Sequence, residues 1–165
     1  MSVTDDKHYS AQICENGHVI TPQLENFPGM DQRFCVICGV ATLSGCTKCK
    51  RSIRGNDKYG LHRQGRDELV GEYPRPSYCA ECGAPFPWTM KALSAAHELA
   101  RMELDDSEAQ KLADIIEDLG RDSPSTPLSV VRFKKYMERL GPTAQEAFKA
   151  ILWNLATEGV KKALS

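Results

Sequence analysis

Seven cysteines stand between positions 14 and 82 of this 165-residue chain, and the last 83 residues contain none. Six of them form three C-x2-C pairs, Cys35-Val-Ile-Cys38, Cys46-Thr-Lys-Cys49 and Cys79-Ala-Glu-Cys82. The seventh, Cys14, has His18 four residues on, in Cys14-Glu-Asn-Gly-His18. A C-x2-C turn aims two sulfurs at one point while nearby backbone N–H groups donate to them. Gly39 and Gly83 follow the second cysteine of two pairs, where such a turn needs positive φ. Eight ligands in four pairs fit two tetrahedral sites, hence two ions per chain. Disulfides fit poorly: the cysteine count is odd, and the opening MSVTDDKHYS lacks the apolar core of a secretory signal. Zinc is the expected ion, because three thiolates with one imidazole suit it and it needs no redox environment. A rubredoxin-like iron in the all-thiolate site is the minor alternative.

Two groupings of the ligands compete. A sequential scheme joins Cys14, His18, Cys35 and Cys38 in site 1, and Cys46, Cys49, Cys79 and Cys82 in site 2. The gaps between paired knuckles are then 16 and 29 residues, each long enough for a short hairpin. The glycine-bearing knuckle comes second in both halves, so one module is read as used twice, and Cys79→Ser should unfold the second half and spare the first. A cross-braced scheme would pair alternate knuckles, but it usually places a lone histidine mid-series, and here the histidine is second. The sequential scheme is favoured. With His18 as a ligand both sites are closed and the metals are structural, contributing on the order of 10 kcal/mol of apparent folding energy each. Without His18, site 1 would keep an open position, as a catalytic zinc requires.

No other constellation points to catalysis, so no catalytic residue is assigned. His97-Glu-Leu-Ala-Arg101 begins like H-E-x-x-H but has Arg101 where the second histidine must stand, and His97 reads as a half-buried helix residue. The deaminase pattern H-x-E…P-C-x-x-C fails at Tyr78, and neither His8 nor His62 has a glutamate two residues on. Phosphate-loop and nucleophile-elbow motifs are missing from the chain.

The elements that must hold the ligands follow from composition. Apolar residues make up 41% and charged residues 26%, the balance of a globular protein. No apolar run nears the roughly 20 residues of a membrane span. Prolines cluster in Pro74–Pro87, and helical periodicity begins at about Trp88. The expected fold is a small metal-stabilised α+β protein. Residues 1–87 form two sequential zinc ribbons of short β-hairpins, and residues 88–165 an all-α region of about four helices. Thr89 reads as the cap of the first helix, with Leu93, His97 and Ala100 on one stripe and Trp88, Ala92, Ala95 and Leu99 on its neighbour. The second carries Leu112, Ile115, Ile116 and Leu119 and ends at Gly120. The third starts at Pro127, capped by Thr126, and runs to Leu140. The fourth follows Gly141-Pro142, with Ala147, Phe148, Ile151, Leu152 and Leu155 facing in.

The formal charge of −1 argues against a chain built wholly around nucleic-acid phosphates, but charge is unevenly spread. Lys48, Lys50, Arg51, Arg54, Lys58, Arg63 and Arg66 face only Asp57 across residues 48–66. Arg54-Gly-Asn-Asp-Lys58 reads as a turn, so a projecting basic hairpin with Tyr59 and His62 as stacking groups is read either as a solvated loop kept soluble by its charge or as a contact for nucleic acid or an acidic partner. The second helix is acidic and the third basic, which would draw them together. Pro85-Phe-Pro-Trp88 reads as an internal latch or, in the rival reading, as an aromatic anchor for a partner.

Ile13-Cys-Glu-Asn-Gly-His-Val-Ile20, Phe34-Cys-Val-Ile-Cys-Gly39 and Cys79-Ala-Glu-Cys-Gly-Ala-Pro-Phe-Pro-Trp-Thr89 together resemble an uncharacterised bacterial domain-of-unknown-function family, a double zinc ribbon with a helical tail. The resemblance covers roughly residues 9–93 and no motif of the tail. It implies bacterial origin, a cytoplasmic location and zinc, and no activity. The functional expectation is a zinc-binding, non-enzymatic adaptor that mediates protein–protein interaction and binds no membrane. The alternatives are a nucleic-acid-binding ribbon using the basic 48–66 stretch, and a zinc enzyme if His18 is not a ligand.

Overall fold

The computed structural model describes residues 7–58 and 73–165. The chain divides into two compact units, one ending at Trp88 and one beginning at Thr89. Among its described residues the first holds five short strands: β1 (His8–Ser10), β2 (Gln12–Cys14), β3 (Val19–Thr21), β4 (Thr42–Leu43) and β5 (Arg54–Asp57). β2 is the centre of an antiparallel sheet, between β3 and β4, while β1 pairs with β5. Ile13 lies opposite both Val19 and Leu43, and Cys14 opposite Thr42. Gln12 is buried and fastens the sheet to the chain before the second knuckle. Its Nε2 donates to Gln32 O at 3.0 Å and to Thr42 Oγ1 at 3.1 Å, and its Oε1 accepts from Gln32 N at 3.0 Å.

These pairings tie the two metal halves into one body rather than two copies of a module. β2, which delivers Cys14 to site 1, is joined to β4, which leads to Cys46 of site 2. Ala11 N donates to Ile53 O, and Gly45 bridges Ser52. One core, Ala11, Ile13, Ile53, Phe86 and Trp88, closes around Cys46 and Cys79. The independent-module expectation fails because neither half has enough apolar side chains for a core of its own.

The Arg54–Lys58 turn is also corrected. Arg54–Asp57 is strand β5, with His8 opposite Asp57 and Ser10 opposite Arg54. Gly55 is buried, and a Cβ there would stand 2.2 Å from Pro22 O and 2.7 Å from Tyr9 O. That close backbone approach explains the glycine that reads as a turn signal. Tyr59, His62, Arg63 and Arg66 lie outside the described residues.

The second unit is built by α1 (Pro87–Glu103), whose first two residues belong to the metal unit, and by α2 (Asp106–Arg121), α3 (Thr126–Met137), α4 (Pro142–Leu155) and α5 (Glu158–Leu164). α2 packs on α3 and α4, and α3 on α5. The core is Leu112, Ile116, Leu119, Phe133, Phe148 and Leu152 with their neighbours. The α2 stripe is buried as its periodicity predicts. In α1 the buried residues are Trp88, Thr89, Ala96 and Ala100, whereas Ala95 is exposed. In α4, Ala147 and Ile151 are half-buried and Ala144 takes a core position. Thr89 lies inside α1, which starts two residues earlier at Pro87. Ser125 takes the N-cap position of α3 without a side-chain capping bond, Thr126 is the first residue of the helix, and α3 stops at Met137. Gly120 does not end α2; the helix runs on to Arg121, and Asp122 takes the left-handed conformation at φ 51°. α5 is a fifth helix, too short for periodicity to reveal, with Val160 its one buried residue.

The proline linker between α2 and α3 is held by one carboxylate. Asp118 Oδ1 accepts from Ser123 Oγ at 2.5 Å and from Ser125 Oγ at 2.7 Å, while Thr126 Oγ1 accepts from Ser123 N at 2.7 Å. The Ser123 and Ser129 hydroxyls hold the Asp118 carboxyl below its usual range. Arg139, just past α3, meets Glu108 of α2 in a bidentate pair at 2.7 and 3.0 Å, so the opposed charges of these helices do meet. Loss of the Asp118 acceptor should lower stability by about 1 kcal/mol. A depressed carboxyl contributes stability above its unfolded pKa, and that stability is lost as pH falls through the folded value. Asp118→Ala should therefore lower the melting temperature read from helix ellipticity at pH 7, and its gap to wild type should narrow below about pH 4.

Candidate metal centres

Three knuckles share one backbone pattern. Cys35 N donates to Val40 O at 2.8 Å and Gly39 N to Cys35 O at 2.8 Å. Cys46 N to Arg51 O and Lys50 N to Cys46 O repeat it at 2.7 and 3.0 Å, as do Cys79 N to Ala84 O and Gly83 N to Cys79 O at 2.8 and 2.9 Å. The residue closing each turn has positive φ: 72° at Gly39, 64° at Lys50 and 68° at Gly83. Lys50 thus adopts a conformation that glycine reaches without cost, and its Nζ donates to Thr47 O at 2.8 Å. The first turn differs. Gly17 N donates to Cys14 O at 2.8 Å, and His18 N to Cys14 Sγ at 3.2 Å.

These turns bring together Cys14, His18, Cys35 and Cys38 at one point, and Cys46, Cys49, Cys79 and Cys82 at another, with the ligand atoms of each group within 4.8 Å of one another. This is the sequential grouping. In site 1 the Cys14 and Cys38 sulfurs are 3.7 Å apart, and His18 Nδ1 lies 3.5 Å from Cys14 Sγ and 3.6 Å from Cys35 Sγ. In site 2 Cys46 and Cys82 are separated by 3.7 Å, and Cys49 and Cys79 by 3.6 Å. All seven cysteines are free. A tetrahedral ion with bonds of about 2.3 Å to sulfur and 2.0–2.1 Å to nitrogen gives S···S edges of about 3.8 Å and S···N edges of about 3.5 Å. Both clusters therefore have the size of a coordination shell, far wider than the S–S bond of about 2.05 Å in a disulfide.

The electrostatics call for a cation. Burial raises the Cys35 thiol, but the Ile37 and Cys38 backbone N–H groups outweigh it and hold the group at about 6. Burial likewise opposes ionisation of Cys46, and donors from Cys49 and Lys48 bring it to about 7. Cys49 accepts from the Arg51 N–H, yet burial and the sulfurs of Cys82, Cys79 and Cys46 push it up to about 12. Crowded thiols divide in this way because they cannot all ionise together, and a divalent ion at their centre removes the conflict.

Arg75, which sequence reasoning passed over, braces site 1. Its Nη1 donates to Gly17 O at 2.6 Å, and its guanidinium stands 5.9 Å from the Trp88 ring. The signal in the sequence is its place between Pro74 and Pro76, a stiff segment that fixes where a long side chain reaches. Trp88 Nε1 donates to Pro76 O at 2.9 Å, and its ring stacks on Phe86 at 4.7 Å. Both rings are buried in the metal unit's core, so neither is an exposed anchor. Among the basic candidates, Lys48, Lys50, Arg54 and Lys58 are exposed and Arg51 is half-buried.

The family described as an uncharacterised protein conserved in bacteria (DUF2321) matches residues 7–164. The chain belongs to this family. DUF2321 thus takes in the helical unit as well as the metal unit, although that half carries no legible motif. Comparison with curated proteins and with solved structures finds no match.

The two kinds of knuckle glycine separate experimentally. At Gly83 a Cβ would meet nothing within 4 Å, whereas at Gly17 it would stand 2.0 Å from Arg75 Nη1 and 3.0 Å from Trp88 Cβ. Both carry the conformational cost of positive φ, about 1–2 kcal/mol. Gly17→Ala should lose more, yielding metal at chelator concentrations that Gly83→Ala withstands, as a colorimetric chelator competition would show.

Proposed function

We propose that this DUF2321 member is a zinc-bound, non-enzymatic adaptor that docks on another protein through the tip of its second knuckle. Zinc is supported by the donor sets, three thiolates with an imidazole and four thiolates, and by edges of tetrahedral size. A structural rather than catalytic role is supported by ligand number. Four protein ligands per ion leave no position for the water that a catalytic zinc activates.

The observation that carries the docking reading is chemistry at equivalent positions. The two tip residues of all three C-x2-C knuckles are exposed. Thr47-Lys48 and Ala80-Glu81 are polar or small, but the Cys35 knuckle presents Val36 at 83% and Ile37 at 70% exposure, with Phe34 beside them at 60%. The turn does not need apolar groups there, and a partner's surface would bury them. The nucleic-acid alternative keeps Lys48, Lys50, Arg54 and Lys58 as exposed cations. Among the described residues no helix is long and apolar enough to cross a membrane.

Metal analysis of the purified chain should find about two zinc ions per molecule, as eight ligands at four per ion require. Val36→Asp with Ile37→Asp should leave metal content and melting temperature unchanged and remove specific protein partners from a native pull-down. Partners that persist in the double variant would refute the tip as the docking site. Partners that vanish on nuclease treatment would favour the basic surface, with binding that weakens by about 0.9 in log K per log salt for each phosphate contact.

A further inference from the structure

The two centres differ in how far their sulfurs are open to attack. Cys82 is the one exposed ligand of the eight; Cys14, Cys35, Cys46 and Cys79 are buried, and Cys38 and Cys49 are intermediate. Local sequence explains the difference. Cys82 sits in Ala80-Glu81-Cys82-Gly83, where all four residues are exposed and two have side chains too small to cover a sulfur. A Cβ at Gly83 would meet no atom within 4 Å, as is also true of Gly39 after Cys38, so what sets the Cys82 turn apart is its small tip residues and the exposure of the sulfur itself. At the matching place after Cys49 stands Lys50, whose side chain folds back to Thr47 O, and the Cys38 tip carries Val36 and Ile37. Charge adds to exposure: a divalent ion with four thiolates leaves site 2 at −2, while three thiolates and an imidazole leave site 1 at −1. The thiolate is the nucleophilic form of cysteine, and oxidation follows thiolate character together with access.

We propose that Cys82 is a modification site for hydroperoxide-class oxidants, through which site 2 gives up its metal before site 1. The inference rests on the reading of both clusters as metal centres. In the first step the Cys82 thiolate attacks the O–O bond of hydrogen peroxide, forming the sulfenic acid and releasing hydroxide. In the second, a thiolate of the same cluster attacks the sulfenic sulfur, forming a disulfide and releasing a second hydroxide. Two thiolates lose two electrons in total and the peroxide gains them, so no further reductant or oxidant is needed. Cys46 Sγ is 3.7 Å from Cys82 Sγ and is placed for the second step. With two of its four sulfurs joined, site 2 no longer holds an ion. Cys46 and Cys79 also belong to the core shared with Ile13 and Trp88, so the oxidation would loosen the whole metal unit.

The test uses the full-length, metal-loaded protein, with metal content measured first. Hydrogen peroxide is added in steps, free thiols are blocked with N-ethylmaleimide under acid quench, and oxidised cysteines are mapped by mass spectrometry while a colorimetric indicator follows released metal. Cys82 should appear in the earliest disulfides, and the site 2 ion should leave with them, ahead of the site 1 ion, which follows as the shared core loosens. Cys82→His, which keeps four ligands and removes the exposed sulfur, should slow release from site 2 several-fold. Should that variant fail to bind metal, the wild-type map decides alone. Early disulfides confined to Cys14, Cys35 or Cys38, or spread evenly over all seven cysteines, would overturn the proposal. Protein that carries no metal at the outset would instead refute the metal reading beneath it.

Discussion

The convergence of eight ligand atoms at two points is the constraint on which the metal unit rests. Its strands are two to four residues long, too short to be stable by pairing alone. Its core is a handful of side chains around Cys46 and Cys79. Each fully buried apolar side chain contributes about 1.5–3 kcal/mol, against a backbone ordering cost of about 1–2 kcal/mol for every residue fixed. Such a core cannot order the unit by itself; on the zinc reading proposed above, each ion would contribute on the order of 10 kcal/mol. The sheet, the knuckles and the Arg75 brace are all placed by that closure.

The ligands and their grouping were legible because C-x2-C spacing is a local property, and so was the grouping's closest rival. What escaped is non-local. Nothing near Ala11 or Ile53 announces that their backbones meet, so the interlocking of the two halves could not be read and a repeated module was expected instead. Gly55 misled for the same reason: a glycine demanded by the Pro22 and Tyr9 carbonyls looks, in sequence, like a turn. In the helical unit the strong α2 stripe was plain, but α1 also buries Ala96, which lies on neither of its expected stripes, and α5 was too short to register.

Three knuckles with one backbone carry three different tips, and their differences are where function can be sought. Folding fixes the positions and leaves the tip side chains free, so an apolar Val36-Ile37 pair, a Thr47-Lys48 pair and a bare Ala80–Gly83 turn answer to different surroundings. The first suits a partner and the last leaves a sulfur open. Lys50 closes its turn at positive φ despite the cost of a side chain there, and its ammonium caps the Thr47 carbonyl in return.

The shared core makes a direct claim about metal loading: an ion at one centre should strengthen binding at the other. Native mass spectrometry of metal-free protein titrated with zinc measures this. If one core serves both centres, the spectra should pass from the metal-free to the two-ion form with little one-ion species at half saturation, and Cys79→Ser should weaken binding at site 1 as well as abolish it at site 2. A one-ion form that dominates at one equivalent, with site 1 affinity untouched by Cys79→Ser, would show two independent modules and contradict the fold described here.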